Sequence, residues 1–165
     1  MIAFCQQSEI PKIFEIINES AQAYKGVIPA DRWHEPYMPL EDLKSEIEKG
    51  VRFHGYYLNN QLVGVMGIQE VKDVTLIRHA YILTRHRNQG IGRKLLEQMK
   101  SLTTRPILIG AWKAAEWAVK FYEKNGFRRT TELEKNQLLK TYWTIPARQI
   151  EESVVLVDAA WDRKC

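Results

Sequence analysis

The sequence is poor in cysteine and has no long hydrophobic run. Its two cysteines, Cys5 and Cys165, stand at opposite ends of 165 residues and belong to no C-x-x-C motif or Cys/His cluster. This pattern predicts neither a disulfide framework nor a metal site, and it favours a reducing, cytoplasmic compartment. No apolar run approaches the roughly 20 residues that span a bilayer, and the first ten residues lack the features of a signal peptide. We therefore expect a soluble protein without a membrane partner.

Charge of one sign is not concentrated anywhere in the chain. The 24 basic and 20 acidic residues leave a net charge of +4, with no basic block. This mild excess suits a small anionic ligand better than a nucleic-acid track, so no nucleic-acid partner is expected. With 45% hydrophobic residues and no repeat or low-complexity tract, we expect one compact domain spanning residues 1–165.

The N-terminal part predicts a strand and two helices. Residues 2–5 read as a short strand, and Ser8 is the expected cap of a helix that Gly26 ends. A second helix is expected from Leu40 to about Lys49. The loop between the two helices is long for a mere connection.

The central part predicts a β-hairpin, a further strand and a helix. Two β-rich runs flank Asn59 and Asn60, residue types that tolerate the positive backbone angles of a tight hairpin turn. The third run, residues 73–83, alternates between two distinct faces. From Ile91 onwards the apolar residues recur at helical spacing.

The C-terminal part predicts two strands around a helix and a polar tail. Residues 106–112 read as a buried strand, and residues 114–125 as a helix that Gly126 ends. A further strand begins there, residues 131–153 are expected to be polar and irregular, and residues 154–157 supply a last strand. Strands and helices alternate, which is typical of an α/β or α+β protein.

The turn before the central helix contains Gly90 and Gly92 in a basic setting. A glycine-rich turn that opens a helix gathers free N–H groups at the positive end of the helix dipole, which favours an anion such as phosphate. Arg93 and Lys94 oppose that dipole unless an anion is bound there. The alternative is that the glycines only permit a tight turn. A dinucleotide fingerprint fails because Leu95 stands where a third small residue is needed, and the P-loop spacing fails as well.

Two motifs resemble those of the GNAT superfamily of N-acyltransferases. The first is the acyl-CoA motif Arg/Gln-x-x-Gly-x-Gly/Ala, matched by Arg87, Gly90 and Gly92. The second is a helix that combines an Ala and an aromatic residue with Tyr-Glu-Lys-x-Gly-Phe. Its matching residues are Ala118, Phe121, Tyr122, Glu123, Lys124, Gly126 and Phe127. The two motifs stand in the family's order with the expected strand between them, and the resemblance covers nearly the whole chain.

The resemblance implies a fold and a co-substrate, acetyl-CoA. The fold would be α/β (α+β), with a mixed, mainly antiparallel central sheet that is flanked by about four helices and splayed at the cofactor strand. The turn would hold the pyrophosphate through backbone N–H groups, and the strand edge before it would pair with the pantetheine arm. The implied cofactor-binding residues are Ile82, Leu83, Arg87, Gln89, Gly90, Ile91, Gly92 and Arg93. The family often has a cofactor-contacting Asn where Ala115 stands, so one polar contact is missing.

The implied activity is transfer of an acetyl group to a primary amine by direct attack. The amine must be neutral to attack, and the departing thiolate must be stabilised or protonated. Tyr122 occupies the motif position that family members use beside the sulfur, so it is the expected acid; the alternative is a packing role. His79 is the candidate base, since an imidazole titrates in the right range. Glu70 and ordered water are rivals for that role, and a lone His on a strand is often structural.

The loop between the first two helices is where the superfamily usually forms part of its acceptor site. Asp31, Trp33 and Glu35, with His34 and Tyr37 beside them, combine carboxylates and aromatic rings that suit a cationic amine. An ordinary polar loop is the alternative. The expected partner is a small-molecule or peptide amine, and homodimer formation stays open. A non-catalytic acyl-CoA-binding or sensing domain is the alternative function.

Overall fold

A computed structural model describes residues 1–164 and contains a seven-stranded sheet in the order β1-β2-β3-β4-β5-β7-β6. Cys165, for which the sequence predicts neither a disulfide nor a metal site, lies outside the described residues. The β4–β5 pair is parallel and the other five pairs are antiparallel, as expected for a mixed, mainly antiparallel sheet. The strands are β1 (Ile2–Phe4), β2 (Arg52–Leu58), β3 (Gln61–Val71), β4 (Val74–Ile82), β5 (Ile107–Trp112), β6 (Arg128–Arg129) and β7 (Ser153–Val157).

Seven α-helices accompany the sheet in residues 1–164, where about four were expected. They are α1 (Ile10–Ser20), α2 (Leu40–Glu48), α3 (Ile91–Ser101), α4 (Glu116–Lys124), α5 (Glu132–Tyr142), α6 (Ala147–Glu151) and α7 (Ala159–Asp162). No helix of residues 1–164 is long and apolar enough to cross a bilayer.

The expectation of an irregular tail over residues 131–153 was wrong, because α5 and α6 lie there. Thr131 begins α5 with a capping box: its hydroxyl accepts from the backbone N–H of Glu134, whose carboxylate accepts from the N–H of Thr131. Leu138 and Leu139 are buried against the sheet, while most of the other α5 residues are polar. The capping box and this narrow apolar contact therefore define a helix that periodicity alone did not indicate.

The expected cap at Ser8 was also wrong. Ser8 lies in the 3-10 turn Gln7–Glu9, and α1 starts directly after it. The capping contact is made instead by Glu9, whose carboxylate accepts from the backbone N–H of Gln6 at 2.8 Å. At its other end α1 runs into the 3-10 helix Ala21–Tyr24, and Gly26 follows with a positive φ of 78°, as expected for a helix stop.

The predicted hairpin is confirmed. Asn59 and Asn60 have φ values of 49° and 63°, and Leu58 pairs with Gln61 across the turn. Two consecutive left-handed residues are the signature of a type I′ turn, whose twist matches that of the strands it connects.

Helices lie on both faces of the sheet. Leu76 of β4 belongs to the same buried cluster as Leu139 of α5. The preceding strand residue, Thr75, shares a 2.7 Å hydrogen bond with Thr103, which follows α3. Successive strand residues point to opposite faces, so α5 and α3 are on opposite sides. Leu95 of α3 is fully buried, as the helical spacing predicted.

The two alternating faces expected for β4 are interrupted at His79. Arg78 pairs with Gly67 and Tyr81 with Val65, so two residues of β4 face the single Met66 of β3. This is a β-bulge, and His79 adopts a left-handed φ of 55° to make it. The bulge bends β4 and reverses which face of the sheet the side chains beyond it point to, relative to a regular strand.

Beyond the bulge, β4 and β5 separate. Their parallel pairing consists of three residue pairs, the last of which joins Ile77 to Ile109. The ends of both strands, residues 78–82 and 110–112, continue without pairing to one another. The sheet is therefore open in its middle, as expected for a sheet splayed at the cofactor strand.

Candidate active site

The opening between β4 and β5 contains two adjacent cavities. The large cavity, of about 520 Å³, lies between the end of β4, the turn before α3, and α4. The small cavity, of about 160 Å³, lies between β4, β5 and the segment that follows α5. The residues that line both cavities, which we call the junction, are Tyr24, Ala80, Tyr81, Ala118 and Tyr122. Two ligands, one in each cavity, would meet at the junction.

The glycine turn forms one end of the large cavity. Gly90 is the N-cap of α3 with a φ of 80°, and an added Cβ would meet no atom within 4 Å. Gly92 is needed for a different reason, since an added Cβ would lie 3.3 Å from the ring of Phe121 on α4. No side chain caps the first turn of α3. Its N–H groups are therefore available to an anion in the cavity, where the helix dipole also favours negative charge.

Arg87 is fixed beside this turn. Its guanidinium donates to both the carbonyl and the hydroxyl oxygen of Ser20, each at 3.0 Å, and both residues line the large cavity. Of the residues expected to bind the cofactor, Arg87, Gly90, Ile91, Gly92 and Arg93 line this cavity. Gln89 is exposed and does not belong to either lining among the described residues.

The strand edge offers one free backbone N–H rather than two. Leu83 donates its N–H to Val63 of β3 and accepts at its carbonyl from His86, so both backbone groups are already engaged. Because antiparallel pairing uses alternate residues, the N–H of Ile82 points away from β3, towards the opening. Ile82 belongs to the lining of the large cavity. A polar ligand lying along this edge would therefore bond to Ile82, not to Leu83.

Tyr122 lies at the junction with its hydroxyl unpaired. Its ring packs edge-on against Phe121 and Phe127, with centroids 5.2 and 6.1 Å away. Among residues 1–164 the hydroxyl has no hydrogen-bond partner. Burial raises the pKa of this phenol well above its ordinary value, so it is protonated at neutral pH. Its packing is thus supplied by the ring alone, and its proton is free for a ligand.

His79 is enclosed on the α2 side of β4. Its ring stacks on Phe53, and its Nε2 lies 3.5 Å from the Glu46 carboxylate. That separation gives no aligned hydrogen bond, so Nε2 is buried without a partner among the described residues. Burial lowers the pKa of His79, although Glu46 opposes the shift. The imidazole is therefore neutral at pH 7, and it belongs to the lining of the small cavity.

Aromatic rings from distant parts of the chain surround the small cavity. Tyr24 lies 5.4 Å from Tyr37 and 6.3 Å from Tyr81 between ring centroids, and the indole N–H of Trp112 donates to the Tyr37 hydroxyl at 2.7 Å. Burial raises the pKa of all three tyrosines, which keeps them neutral. Trp143 completes the wall.

Of the loop residues expected near the acceptor, Tyr37 lines the small cavity, whereas Asp31, Trp33 and Glu35 make other contacts. Asp31 forms a bidentate ion pair with Arg148 of α6, at 3.1 and 3.2 Å. Glu35 accepts from the Gln22 amide at 3.1 Å, and Trp33 stacks on Tyr37 with 5.8 Å between centroids. Asp31, Trp33 and Glu35 are described residues that line neither cavity. They support the walls from outside.

Neither lining contains an Asp or Glu among the residues of the described chain, and no group of three or more metal-ligating side chains occurs in residues 1–164. The chemistry that the cavities can offer is therefore anion binding at the α3 turn, hydrogen bonding from phenols and proton acceptance by the neutral imidazole of His79. Sequence reasoning missed Tyr81 and Trp143 as site residues. No local signal marks them, because long-range packing brings them to the opening.

A family model described as "Acetyltransferase (GNAT) domain" matches residues 17–141, which is more than half of the chain. The matched segment contains the α3 turn, Tyr122 and both unpaired strand ends. Comparison with curated protein sequences gave no significant match.

Solved structures with the same fold include several acetyltransferases. A GNAT-family acetyltransferase from Staphylococcus aureus Mu50 has a TM-score of 0.71 at 20% identity, covering 96% of this chain and 97% of that one. The PaiA N-acetyltransferase from Thermoplasma acidophilum, solved in complex with coenzyme A, has a TM-score of 0.68 at 17% identity, covering 96% and 98%. The ribosomal-protein-S18-alanine N-acetyltransferase from Escherichia coli has a TM-score of 0.62 at 14% identity, covering 96% and 92%. At these identities the likeness establishes the fold.

Proposed function

The chain belongs to the GNAT acetyltransferase family, and from that premise we propose that it transfers an acetyl group from acetyl-CoA to a primary amine by direct attack. The observation that carries this proposal is the open sheet, with an anion-binding turn at one end of the large cavity and an unpaired phenol at the junction. We further propose that residues 1–165 act as one domain in the cytoplasm.

The large cavity fits the co-substrate. The uncapped N–H groups of α3, reached across the open space at Gly90, would hold the pyrophosphate. Arg87 would add a fixed positive charge, and the free N–H of Ile82 would bond to an amide of the pantetheine arm. When bound in this way, acetyl-CoA supplies an activated acyl group at the junction, between Ala80 and Tyr122.

The reaction forms one bond and breaks one. The amine nitrogen attacks the thioester carbonyl carbon with its lone pair, and the carbon–sulfur bond then breaks. The nitrogen loses one proton and the sulfur gains one, so the products are an N-acetyl amide and the free thiol of CoA. The protein must therefore provide a proton donor beside the sulfur and an acceptor beside the nitrogen.

We assign the donor role to Tyr122. Its hydroxyl has no competing partner among the described residues, and Tyr122 belongs to the lining of both cavities. A thiol ordinarily has a pKa of about 8.5, but burial raises the proton affinity of a thiolate as it raises that of the phenol. Tyr122 would therefore first stabilise the developing negative charge by hydrogen bonding and pass its proton as the sulfur leaves.

His79 remains the candidate acceptor. It is neutral, because burial lowers its pKa, and a neutral imidazole can take a proton from the attacking amine. Glu46, 3.5 Å from its Nε2, would stabilise the imidazolium that forms. Glu70 is a weaker candidate, since it lines neither cavity among the described residues and lies 3.9 Å from the Arg105 guanidinium.

Two measurements test the function together. Calorimetry should show acetyl-CoA binding to the wild-type protein, and a thiol assay should show amine-dependent release of CoA. Gly90→Val should abolish binding, because a side chain there strains the turn and obstructs the N–H groups. Gly50→Val is the matched control: Gly50 also has a positive φ, of 107°, and open space around it, but it lies outside both cavities.

The proposed site would be supported if both variants lose the same amount of thermal stability and only Gly90→Val loses acetyl-CoA binding. Unchanged acetyl-CoA affinity in Gly90→Val would refute it. Tight binding without CoA release for any amine would instead indicate a non-catalytic acyl-CoA-binding domain.

A further inference from the structure

We propose that the small cavity accepts an amine whose non-reacting part is one uncharged aromatic ring, joined to the amino group by a short linker. This assignment rests on the proposed acetyl transfer, because it treats the small cavity as the acceptor site. Volume, walls and charge each support it, and each excludes a different class of acceptor.

The volume fits a single ring. The small cavity measures about 160 Å³, and an apolar protein cavity of about 150 Å³ is known to hold one benzene molecule. A bicyclic ring system, or the first two residues of a peptide, would fill more than this volume and would extend out of the cavity. The linker has room in the junction, which continues towards Tyr122 in the large cavity.

The walls favour an aromatic occupant over an aliphatic one. The rings of Tyr24, Tyr37, Tyr81 and Trp143 belong to the lining, and the first three lie within 6.3 Å of one another between neighbouring centroids. Aromatic pairs prefer offset-stacked or edge-to-face contacts at centroid distances of about 4.5–7 Å. A guest ring among these residues would meet several partners at such distances.

The charge of the walls disfavours a polycation. Among the described residues the lining has no carboxylate, and the guanidinium of Arg78 is compensated outside the cavity by Glu46, at 3.1 Å. The nearby acids of the α1–α2 loop are engaged too, Asp31 by Arg148 and Glu35 by Lys25. A second ammonium group would find no counter-ion. The reacting amine benefits from the same feature, because burial away from anions favours its neutral, nucleophilic form.

Trp143 sets the depth of the small cavity. Its indole lies over β5 at Gly110, where an added Cβ would come within 3.3 Å of the ring. The indole thus occupies the space above Gly110, the residue of β5 that has no side chain. Removing the ring should extend the cavity along β5 and admit a larger guest.

The experiment compares four amines with the wild-type protein at saturating acetyl-CoA: phenethylamine, tryptamine, spermidine and a hexapeptide with an N-terminal alanine. CoA release should give a kcat/KM for phenethylamine that exceeds the others by about tenfold or more, the discrimination expected of a pocket that fits one ring. Calorimetry in the presence of CoA measures phenethylamine binding independently of turnover.

The outcomes separate the two proposals. Phenethylamine that binds without CoA release would refute acetyl transfer and leave the cavity assignment standing. CoA release with spermidine or the peptide, without phenethylamine binding, would refute the cavity assignment and leave acetyl transfer standing. Absence of phenethylamine binding overturns the assignment whatever the turnover.

Trp143→Ala tests the size limit. The kcat/KM ratio of tryptamine to phenethylamine should rise by about tenfold in this variant. The matched control is Trp161→Ala, since Trp161 is partly buried against Tyr142 and lines neither cavity among the described residues. It should leave the ratio unchanged. An unchanged ratio in Trp143→Ala would overturn the assignment of Trp143 as the wall that limits the acceptor.

Discussion

The hydroxyl of Tyr122 is held in place by its ring and by nothing else. Phe121 and Phe127 pack against the ring, while the oxygen has no hydrogen-bond partner in residues 1–164. The oxygen is not among the fully buried unpartnered side-chain atoms of residues 1–164, and Tyr122 lines both cavities, so the oxygen is accessible to a ligand. The packing role and the chemical role of the residue can therefore be separated by deleting one atom.

Tyr122→Phe should leave thermal stability and acetyl-CoA affinity unchanged and lower kcat by roughly ten- to a thousandfold, the range for a lost proton or hydrogen-bond donor. Calorimetry and a chemistry-limited CoA-release assay measure the two effects. Tyr142→Phe is the control, because its hydroxyl bonds to Asp73 and neither residue lines a cavity among the described residues. Wild-type turnover in Tyr122→Phe would remove the acid assignment.

His79 should make the stability of the protein depend on pH. Burial lowers its pKa below the ordinary 6.5, although Glu46 opposes the shift, so the unfolded chain binds this proton at a higher pH than the folded protein does. The stabilisation is present above about pH 6.5 and is lost as the pH falls through the folded-state pKa. The pKa of His54 is also lowered, mainly by burial, so it contributes in the same direction.

The melting temperature should accordingly fall by a few degrees between pH 7.5 and pH 5.5. His79→Phe should reduce this fall without removing it, because His54 remains. His34→Gln, which changes an exposed ring, should reproduce the wild-type profile. A His79→Phe profile parallel to that of the wild type would show that His79 is not the group responsible.

At the scale of elements, α5 holds α6 in place through a buried lysine. Lys135 is 2% exposed, and its ammonium donates to the carbonyl of Ile150 at 2.8 Å while it lies 2.9 Å from Glu132. Because Gln149 lines the small cavity, this bond also holds the cavity wall.

Lys135→Met should remove the hydrogen bond from the ammonium to the Ile150 carbonyl, which keeps only its bond from the N–H of Glu152. Losing a hydrogen bond from a charged donor costs about 1.5–3 kcal/mol of unfolding free energy, or several degrees in Tm. The apparent KM for the amine should rise, since the wall is loosened, while acetyl-CoA affinity stays constant. Lys140→Met, on the exposed side of the same helix, should change none of these quantities. A more stable Lys135→Met protein would mean that desolvation of the cation outweighs its hydrogen bonds.

The α1–α2 loop and α6 are joined across 117 residues by the ion pair between Asp31 and Arg148. The Arg148 guanidinium holds the pKa of Asp31 below its usual range, so the pair is charged throughout the neutral range. It connects two segments that each contribute a residue to the lining of the small cavity, Tyr37 from the loop and Gln149 from α6.

Asp31→Asn and Arg148→Gln should each raise the apparent KM for the amine severalfold and leave that for acetyl-CoA unchanged, because both release the same connection. The double variant should be no worse than either single one. Glu35→Gln is the control, since Glu35 lies in the same loop but contacts Gln22 and Lys25 instead of Arg148. Additive effects in the double variant would show that the two residues act independently.

At the scale of the whole molecule, the elements that sequence could predict are those with strong local signals. Three features depend on residues close together in the chain: the hairpin at Asn59 and Asn60, the helical spacing of apolar residues in α3, and the glycine turn. The α5 helix had such a signal as well, in the capping box of Thr131 and Glu134, but its polar surface hid the periodicity.

The acceptor walls could not be predicted in this way, apart from Tyr37, which belongs to the loop expected near the acceptor and lines the small cavity. Tyr37, Tyr81 and Trp143 come from three separate parts of the chain, and they meet because β4 and β5 diverge after Ile77. The bulge that starts this divergence places a His in a left-handed conformation, which residue preferences disfavour. Long-range packing decides both features, so no local pattern indicates them.

The arrangement of two cavities meeting at one junction predicts that both substrates bind before any product leaves. An acetyl-enzyme intermediate would need a nucleophile at the junction, and Cys5, the free cysteine of the described residues, lies buried against Tyr57 outside both cavities. Burial raises the pKa of its thiol to about 11, which keeps it unreactive at neutral pH. Tyr122, which lies at the junction, stays protonated because burial raises its pKa, so it does not act as a nucleophile.

Initial rates measured over a matrix of acetyl-CoA and phenethylamine concentrations should therefore give intersecting double-reciprocal lines, the pattern of a ternary complex. Cys5→Ala should show the same pattern and the same kcat, because no step passes through its sulfur. Mass spectrometry after incubation with acetyl-CoA alone should find no protein 42 Da heavier, about the mass that one acetyl group adds. Parallel lines together with an acetylated protein would establish a ping-pong route, and the shared junction would then serve two substrates in turn rather than both at once.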